Sequence, residues 1–202
     1  DAAAAGKEIG VLRKFDTSIP VKATDIPEVL KQAVVSVEDK RFYSHGGIDP
    51  IGAIRALWAD VRGKRVVQGG STITQQYVKN YFLTQDRTVS RKAKEFIISL
   101  KIDQQESKDT ILENYLNTIY YGRGAAGIQT AAKAYFGHDV SKLTVAEGAL
   151  LASVIRGPEF YDPANGAEQK ASATARVNYV LDGMVSQGWL SADERARTTF
   201  PK

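Results

Sequence analysis

The chain contains no cysteine, which removes disulfide staples, thiolate zinc sites and a cysteine nucleophile together. Histidine is almost as scarce, and His45 and His138 alone do not make a paired-histidine zinc motif. No apolar run approaches the ~20 residues that cross a bilayer, the longest being Ala146 to Ile155. The opening from Asp1 to Ala5 lacks the charged and apolar regions of a secretion signal, so the residues given are expected to be soluble or peripheral. Gly69 to Thr72 lacks the glycine-lysine pair of a nucleotide phosphate loop. There is no internal repeat, and no low-complexity stretch beyond the first alanines.

What is present suits one folded domain: 202 residues, 43% of them hydrophobic, are enough to bury a proper core. Lys+Arg 27 against Asp+Glu 23 leaves a net charge of +4, which points to an anionic partner without choosing among nucleic acid, lipid headgroups and a pyrophosphate.

Residues 1–25 read as an extended arm, with strand character from Ile9 to Leu12 and breaks at Pro20 and Pro27. Residues 26–202 read as a single, mainly α domain. A helix is expected from Pro27 to about Asp39, and another from Asp49 and Pro50 through Ile54, Leu57 and Trp58 to Val61. The basic, glycine-bounded segment from Arg62 to Gly70 reads as a mobile loop. Thr72 with Gln75 has capping-box spacing and opens a helix to about Phe82. Ser90 is expected to cap the next helix, with Ala93, Ile97, Leu100 and Gln104 on one face, its apolar members inward, and Arg91 and Glu95 on another. Ser107 opens a helix carrying Ile111, Leu112, Tyr115, Leu116 and Ile119, stopped by Gly122 and Gly124. Further helices end at Gly137, run from Thr144 to before Gly157, span Ala167 to Gln187 with Gly188 as stop, and open at Ser191.

Two blocks are rich in reactive groups. From Val37 to Asp49 carboxylates, a histidine and two aromatics gather at a helix end beside a glycine turn. A carboxylate shielded by Phe42 and Tyr43 has raised proton affinity and suits proton abstraction from a hydroxyl. Taken alone, however, Glu38 to Arg41 reads better as a solvated helix terminus. The second block runs through Gln75, Gln76, Lys79 and Asn80 to Arg87, Arg91, Lys92 and Glu95. Its cations suit a phosphate or pyrophosphate clamp, and its four-residue spacing equally suits a surface ion pair; spacing leaves the two level.

Taken in order, the blocks from Glu38 to Pro50, Gly69 to Asn80, Arg91 to Glu95, Ile111 to Gly122, Ala131 to Gly137 and Leu143 to Ala152 resemble the peptidoglycan glycosyltransferases. These are the monofunctional enzymes and the amino-terminal catalytic domain of class A penicillin-binding proteins. The resemblance covers about Ile26 to Trp189. It implies a lysozyme-like helical fold with a large and a small lobe around a cleft. It also implies polymerisation of lipid II into β-1,4-linked glycan at the outer face of the bacterial plasma membrane, and a moenomycin target. The first family glutamate falls on Glu38, the implied general base. The second falls on Glu95, which in the family helps organise the donor pyrophosphate beside cations that fall on Lys79, Arg87 and Arg91. Ser71 and Gln76 match positions lining the donor side, and Asp39, Phe42 and His45 match positions framing the base.

The implied partners are lipid II, the growing lipid-linked strand, the membrane surface and other cell-wall synthesis proteins, with no nucleic acid. The implied cofactor is a divalent cation, magnesium or manganese, reached by Glu95 through substrate pyrophosphate. Trp58 reads equally as a lipid-headgroup contact and as a buried helix-face aromatic. The family's amino-terminal membrane helix is absent from these residues, as is the serine-x-x-lysine tetrad of a penicillin-binding half, so β-lactam binding is not expected. Rival readings are a lysozyme-like hydrolase using Glu38 as acid, a basic helical nucleic-acid module, and a silent domain that kept the fold. The hydrolase gives the cations from Lys79 to Arg91 no task, and the nucleic-acid module sets Glu38 and Glu95 against phosphate.

Overall fold

The computed structural model describes residues 18–51, 70–82 and 89–201. The strand-like stretch at 9–12, the expected helix around Trp58, the basic loop at 62–69 and Arg87 lie outside the described residues.

The elements are helices α1 (Glu28–Glu38), α2 (Ile73–Phe82), α3 (Val89–Gln105), α4 (Lys108–Thr118), α5 (Ile128–Phe136), α6 (Val145–Val154), the short α7 (Pro158–Tyr161), α8 (Ala167–Ser186) and α9 (Ala192–Arg197), with single 3-10 turns between some of them. No strand forms among the described residues; the one β-bridge pairs Tyr120 with Ala126. Four helix starts follow from local side-chain chemistry. Reciprocal capping boxes open α6 at Thr144 and α9 at Ser191, and the Ser107 hydroxyl accepts the Thr110 N–H at the start of α4. At α2 the Gln75 N–H donates to Thr72 Oγ1 at 3.1 Å while Gln75 Oε1 accepts the Thr72 N–H at 3.0 Å.

Two packing groups result. In the first, α6 is buried continuously from Gly148 to Val154, and α1 and α8 cover it. α1 buries Leu30, Ala33, Val34, Val35 and Val37, each worth roughly 1–3 kcal/mol relative to exposure, with the alanine at the low end. A Cβ at Gly183 of α8 would sit 3.4 Å from Ser36, so the missing side chain lets α8 press closely on α1. In the second group α2 packs on α3 and α4. The chain ahead of α1 is tied to α4: Asn117 exchanges two hydrogen bonds with the Val21 backbone at 3.0 and 2.8 Å, and Glu113 accepts the Ala23 N–H at 2.6 Å.

Three expectations need correction. Val89 is already helical, so Ser90 lies inside α3 and does not cap it. α4 ends at Thr118 with Ile119 extended, ahead of Gly122 and Gly124, which shape the following turn instead. The inward face of α3 is also reversed: Glu95, Ser99 and Ile102 are buried, whereas Ala93, Gln104 and Ile97, 53% exposed, face out. Apolar residues occur all around α3, so their spacing chose no unique face. The choice is made by Ser99, whose backbone lies against Gly47, and by the compensating charges on Glu95.

The turn after α4 is latched to α7's end. Arg123, in the left-handed region at φ 51°, donates to Asp162 from Nε at 2.7 Å and from Nη2 at 2.6 Å, while its guanidinium stacks 4.0 Å from the Tyr135 ring centre. The Arg123 hydrogen bonds hold the Asp162 carboxyl below its ordinary range. Arg123→Ala should lower stability by about 1–3 kcal/mol at neutral pH, read as a shifted denaturant midpoint. A depressed carboxyl stabilises above its unfolded pKa of about 3.9 and stops doing so as pH falls through the lower folded value. The stability gap between the native chain and Asp162→Asn should therefore close in strong acid; a gap unchanged from neutral pH would contradict the latch.

Candidate active site

The site begins where α1 ends. Glu38 is the last helical residue and Asp39 its C-cap. The Asp39 carboxylate is buried and accepts from two separate segments: His45 Nε2 lies 2.8 and 2.9 Å from its two oxygens, and the Ile73 N–H at the start of α2 donates to Oδ2 at 3.1 Å. Asp39 thus caps a helix 34 residues further along the chain. Phe42, fully buried, sets its ring edge to His45 at 6.3 Å. Lys108 donates to the His45 carbonyl at 2.6 Å and stands 4.9 Å above the Phe42 ring. The His45 side chain is 6% exposed and its Nδ1 has no partner among the described residues.

The loop is closed by glycine. Gly47 has φ +77°, and a Cβ there would sit 2.5 Å from the Ser99 carbonyl oxygen, so only glycine lets this loop touch α3. Thr72 Oγ1 donates to the Gly47 carbonyl at 2.7 Å, fastening the same loop to α2.

Glu38 is held differently from Asp39. Its side chain is 12% exposed, and Oε2 accepts Gln76 Nε2 at 3.0 Å. The Tyr115 hydroxyl, 3.1 Å from Gln76 Oε1, is the donor to that oxygen, which turns the Gln76 amide nitrogen toward Glu38. Burial pushes the Tyr115 phenol well above its ordinary range, so it remains a donor throughout neutral pH. The other Glu38 oxygen lies 3.5 Å from Nη2 of Arg176, a residue of α8.

Glu95, on α3, is 2% exposed. Arg91 Nη1 donates to Oε2 at 2.9 Å, and Lys92 Nζ donates to Oε1. Lys92 also reaches Ser71 Oγ at 3.5 Å. Lys79 is half-buried on α2, one turn beyond Gln76 on the same face. Arg91 and Lys92 set two cations against the single Glu95 carboxylate, so this cluster carries a positive surplus.

The structure therefore gathers Glu38, Asp39, Phe42, His45 and Gln76 into one network, and Ser71, Arg91 and Glu95 into a second joined by Lys92. α2 is the spine between them: its N-terminus meets Asp39, Gln76 meets Glu38, and Ser71 just ahead of it meets Lys92. Sequence reasoning passed over Tyr115 and Arg176 as parts of the site, while Lys92, named in the cationic block, proves to be the residue that joins Ser71 to Glu95. Tyr115 and Arg176 sit in apolar helix stripes, and a charged or hydroxylated residue inside such a stripe is the signal that marks them. Among the described residues no group of three or more His, Cys, Asp and Glu side chains is placed to hold a metal ion. Both Glu95 oxygens are already taken by cations, so these side chains do not fit a divalent ion as they stand.

The chain as a whole has counterparts among known proteins. The transglycosylase family matches residues 5–185. Penicillin-binding protein 1A of Mycolicibacterium smegmatis is 48% identical over 187 residues, covering 91% of this chain and 23% of that protein. Penicillin-binding protein 1F of Bacillus subtilis is 45% identical over 175 residues, covering 87% of this chain and 24% of its own length. The chain thus spans about a quarter of these relatives. The crystal structure of penicillin-binding protein 1A from Haemophilus influenzae superposes with a TM-score of 0.51 at 20% identity, covering 89% of this chain and 17% of that one, and shares the mainly α, lysozyme-like fold. By these matches the chain belongs to the transglycosylase family and is a peptidoglycan glycosyltransferase domain of the kind found in class A penicillin-binding proteins.

Proposed function

We propose that this domain polymerises lipid II into β-1,4-linked glycan by a single inverting displacement, with Glu38 as general base. The observation that carries the reading is the contrast between the two carboxylates. Glu38 has one oxygen fixed by Gln76 and the other held only loosely, whereas Glu95 has both oxygens tied to cations. The acceptor sugar 4-hydroxyl attacks the anomeric carbon of the donor as its proton passes to Glu38. The bond from that carbon to the pyrophosphate oxygen breaks, and undecaprenyl pyrophosphate leaves. Negative charge builds on the leaving group, where Lys79, Arg91 and Lys92 supply compensation, and Arg87 belongs to the same set by its family position. Asp39, Phe42 and His45 keep the base in register, and Ser71 and Gln76 line the donor side.

The cationic surplus is what separates this reading from a hydrolase that uses Glu38 as an acid, because glycan cleavage has no pyrophosphate to neutralise. The ligand that would carry a magnesium or manganese ion here is the substrate pyrophosphate, and the chemistry such an ion would supply is charge neutralisation at the leaving group. The substrate's lipid calls for work at a membrane surface, and the outer face of the plasma membrane is the side this reading takes. Among the described residues no helix is long and apolar enough to cross a membrane. The membrane surface, the growing lipid-linked strand and other cell-wall synthesis proteins are the partners this reading requires; nucleic acid is not one.

Polymerisation of fluorescent lipid II in detergent, resolved as a glycan ladder, tests the reading. Glu38→Gln should lower turnover by roughly 100- to 10,000-fold while the chain still folds to the same helical structure. A full ladder from this variant would refute the base. Lys79→Ala should reduce kcat/KM by about 10-fold through a lost charge-assisted contact to pyrophosphate. An unchanged kcat/KM would remove Lys79 from the donor site.

A further inference from the structure

We infer that Arg176 is the positioning residue of the catalytic base, gripping Glu38 from the side opposite Gln76. The inference rests on the reading of Glu38 as base and adds a group that no sequence block singled out. α8 presents a core-facing stripe of Ala173, Arg176, Val177, Val180, Leu181 and Met184, in which Arg176 is the one charged member. Arg176 is 6% exposed, and an arginine keeps its charge when buried. Desolvation nevertheless pulls its proton affinity down, with Glu38 the leading group acting to restore it. A buried cation persists only with compensation, and Glu38 is the carboxylate placed to give it.

The packing delivers this contact. Arg176, Val180 and Gly183 recur at spacings of four and three, so they share the α8 face turned to α1. Gly183 brings that face against Ser36, and Ser36 Oγ reaches the Val180 carbonyl at 3.4 Å. Glu38 lies two residues beyond Ser36. The Arg176 guanidinium is backed by the Tyr161 ring, 5.4 Å from its centre.

The distance separates this pair from the closed arginine–carboxylate pairs on α3 and at the end of α7. Arg91 meets Glu95 at 2.9 Å and Arg123 meets Asp162 at 2.6 Å, full hydrogen bonds that occupy the carboxylate. Arg176 stops 3.5 Å from Glu38 Oε1, beyond a good N–H to O bond. The contact fixes the carboxylate plane and places positive potential beside it while leaving Oε1 able to accept a hydroxyl proton.

The test combines turnover with a stability cycle on the whole chain. Arg176→Met should lower kcat for lipid II by roughly 10- to 100-fold, the cost of a misoriented reacting group. KM should stay within about two-fold, since substrate binding is untouched. Arg176→Lys, which returns the charge, should recover most of the loss. In denaturant unfolding, Arg176→Met should destabilise the native chain more than it destabilises Glu38→Gln. An unchanged kcat, a raised KM at constant kcat, or the absence of both lysine rescue and stability coupling would overturn the assignment. If Glu38→Gln itself kept full activity, the base reading would fail instead, and the unfolding cycle, which needs no turnover, would still report whether Arg176 holds Glu38.

Discussion

The arrangement depends on one buried carboxylate, Asp39. It ends α1, accepts His45 on both oxygens, and receives the first free N–H of α2. A buried carboxylate left without donors costs several kcal/mol, so this one is stable only while both other segments stay in place. The converse also holds: because Asp39 fixes the start of α2, it fixes the rotation of that helix, and Gln76 one turn on arrives at Glu38. Gly47 secures the loop from the other side by lying on the Ser99 backbone, a contact that any side chain would block. The residue before the cap is then free to do chemistry because the cap itself is so fully committed.

Glu38 and Glu95 show how environment assigns different work to the same side chain. Glu95 is buried on α3 with a cation on each oxygen, and it organises positive charge without being available to a hydroxyl. Glu38 is partly exposed, fixed through one oxygen by the Tyr115 to Gln76 relay, and approached but not closed upon by Arg176. The reaction proposed for the domain needs a base on one partner and cations where the leaving group gathers charge, and the two carboxylates divide those needs between them.

Much of the fold was legible because its helix starts are written in local chemistry: Thr72, Ser107, Thr144 and Ser191 each cap as their spacing predicts. α3 was misread for an equally local reason. Its apolar residues circle the helix, and the face was decided by tertiary events at Glu95 and Ser99 that periodicity does not encode. In the site, the blocks around Glu38 and Glu95 were visible as clusters and through their family resemblance. Arg176 was not, because it belongs to a helix 138 residues away that otherwise reads as core, and only packing brings it to Glu38. Tyr115 was taken for core for the same reason; its hydroxyl matters only once α2 is laid across it.

The proposed reaction is a single displacement in which the leaving group is a lipid pyrophosphate and the acceptor is a sugar hydroxyl. The most direct measurement is NMR of the polymer made from α-linked lipid II, reading the anomeric coupling of each new linkage against the pyrophosphate released. Uniform β linkages with one lipid pyrophosphate freed per bond are the predicted result. α linkages, or free reducing sugars without chain growth, would contradict it.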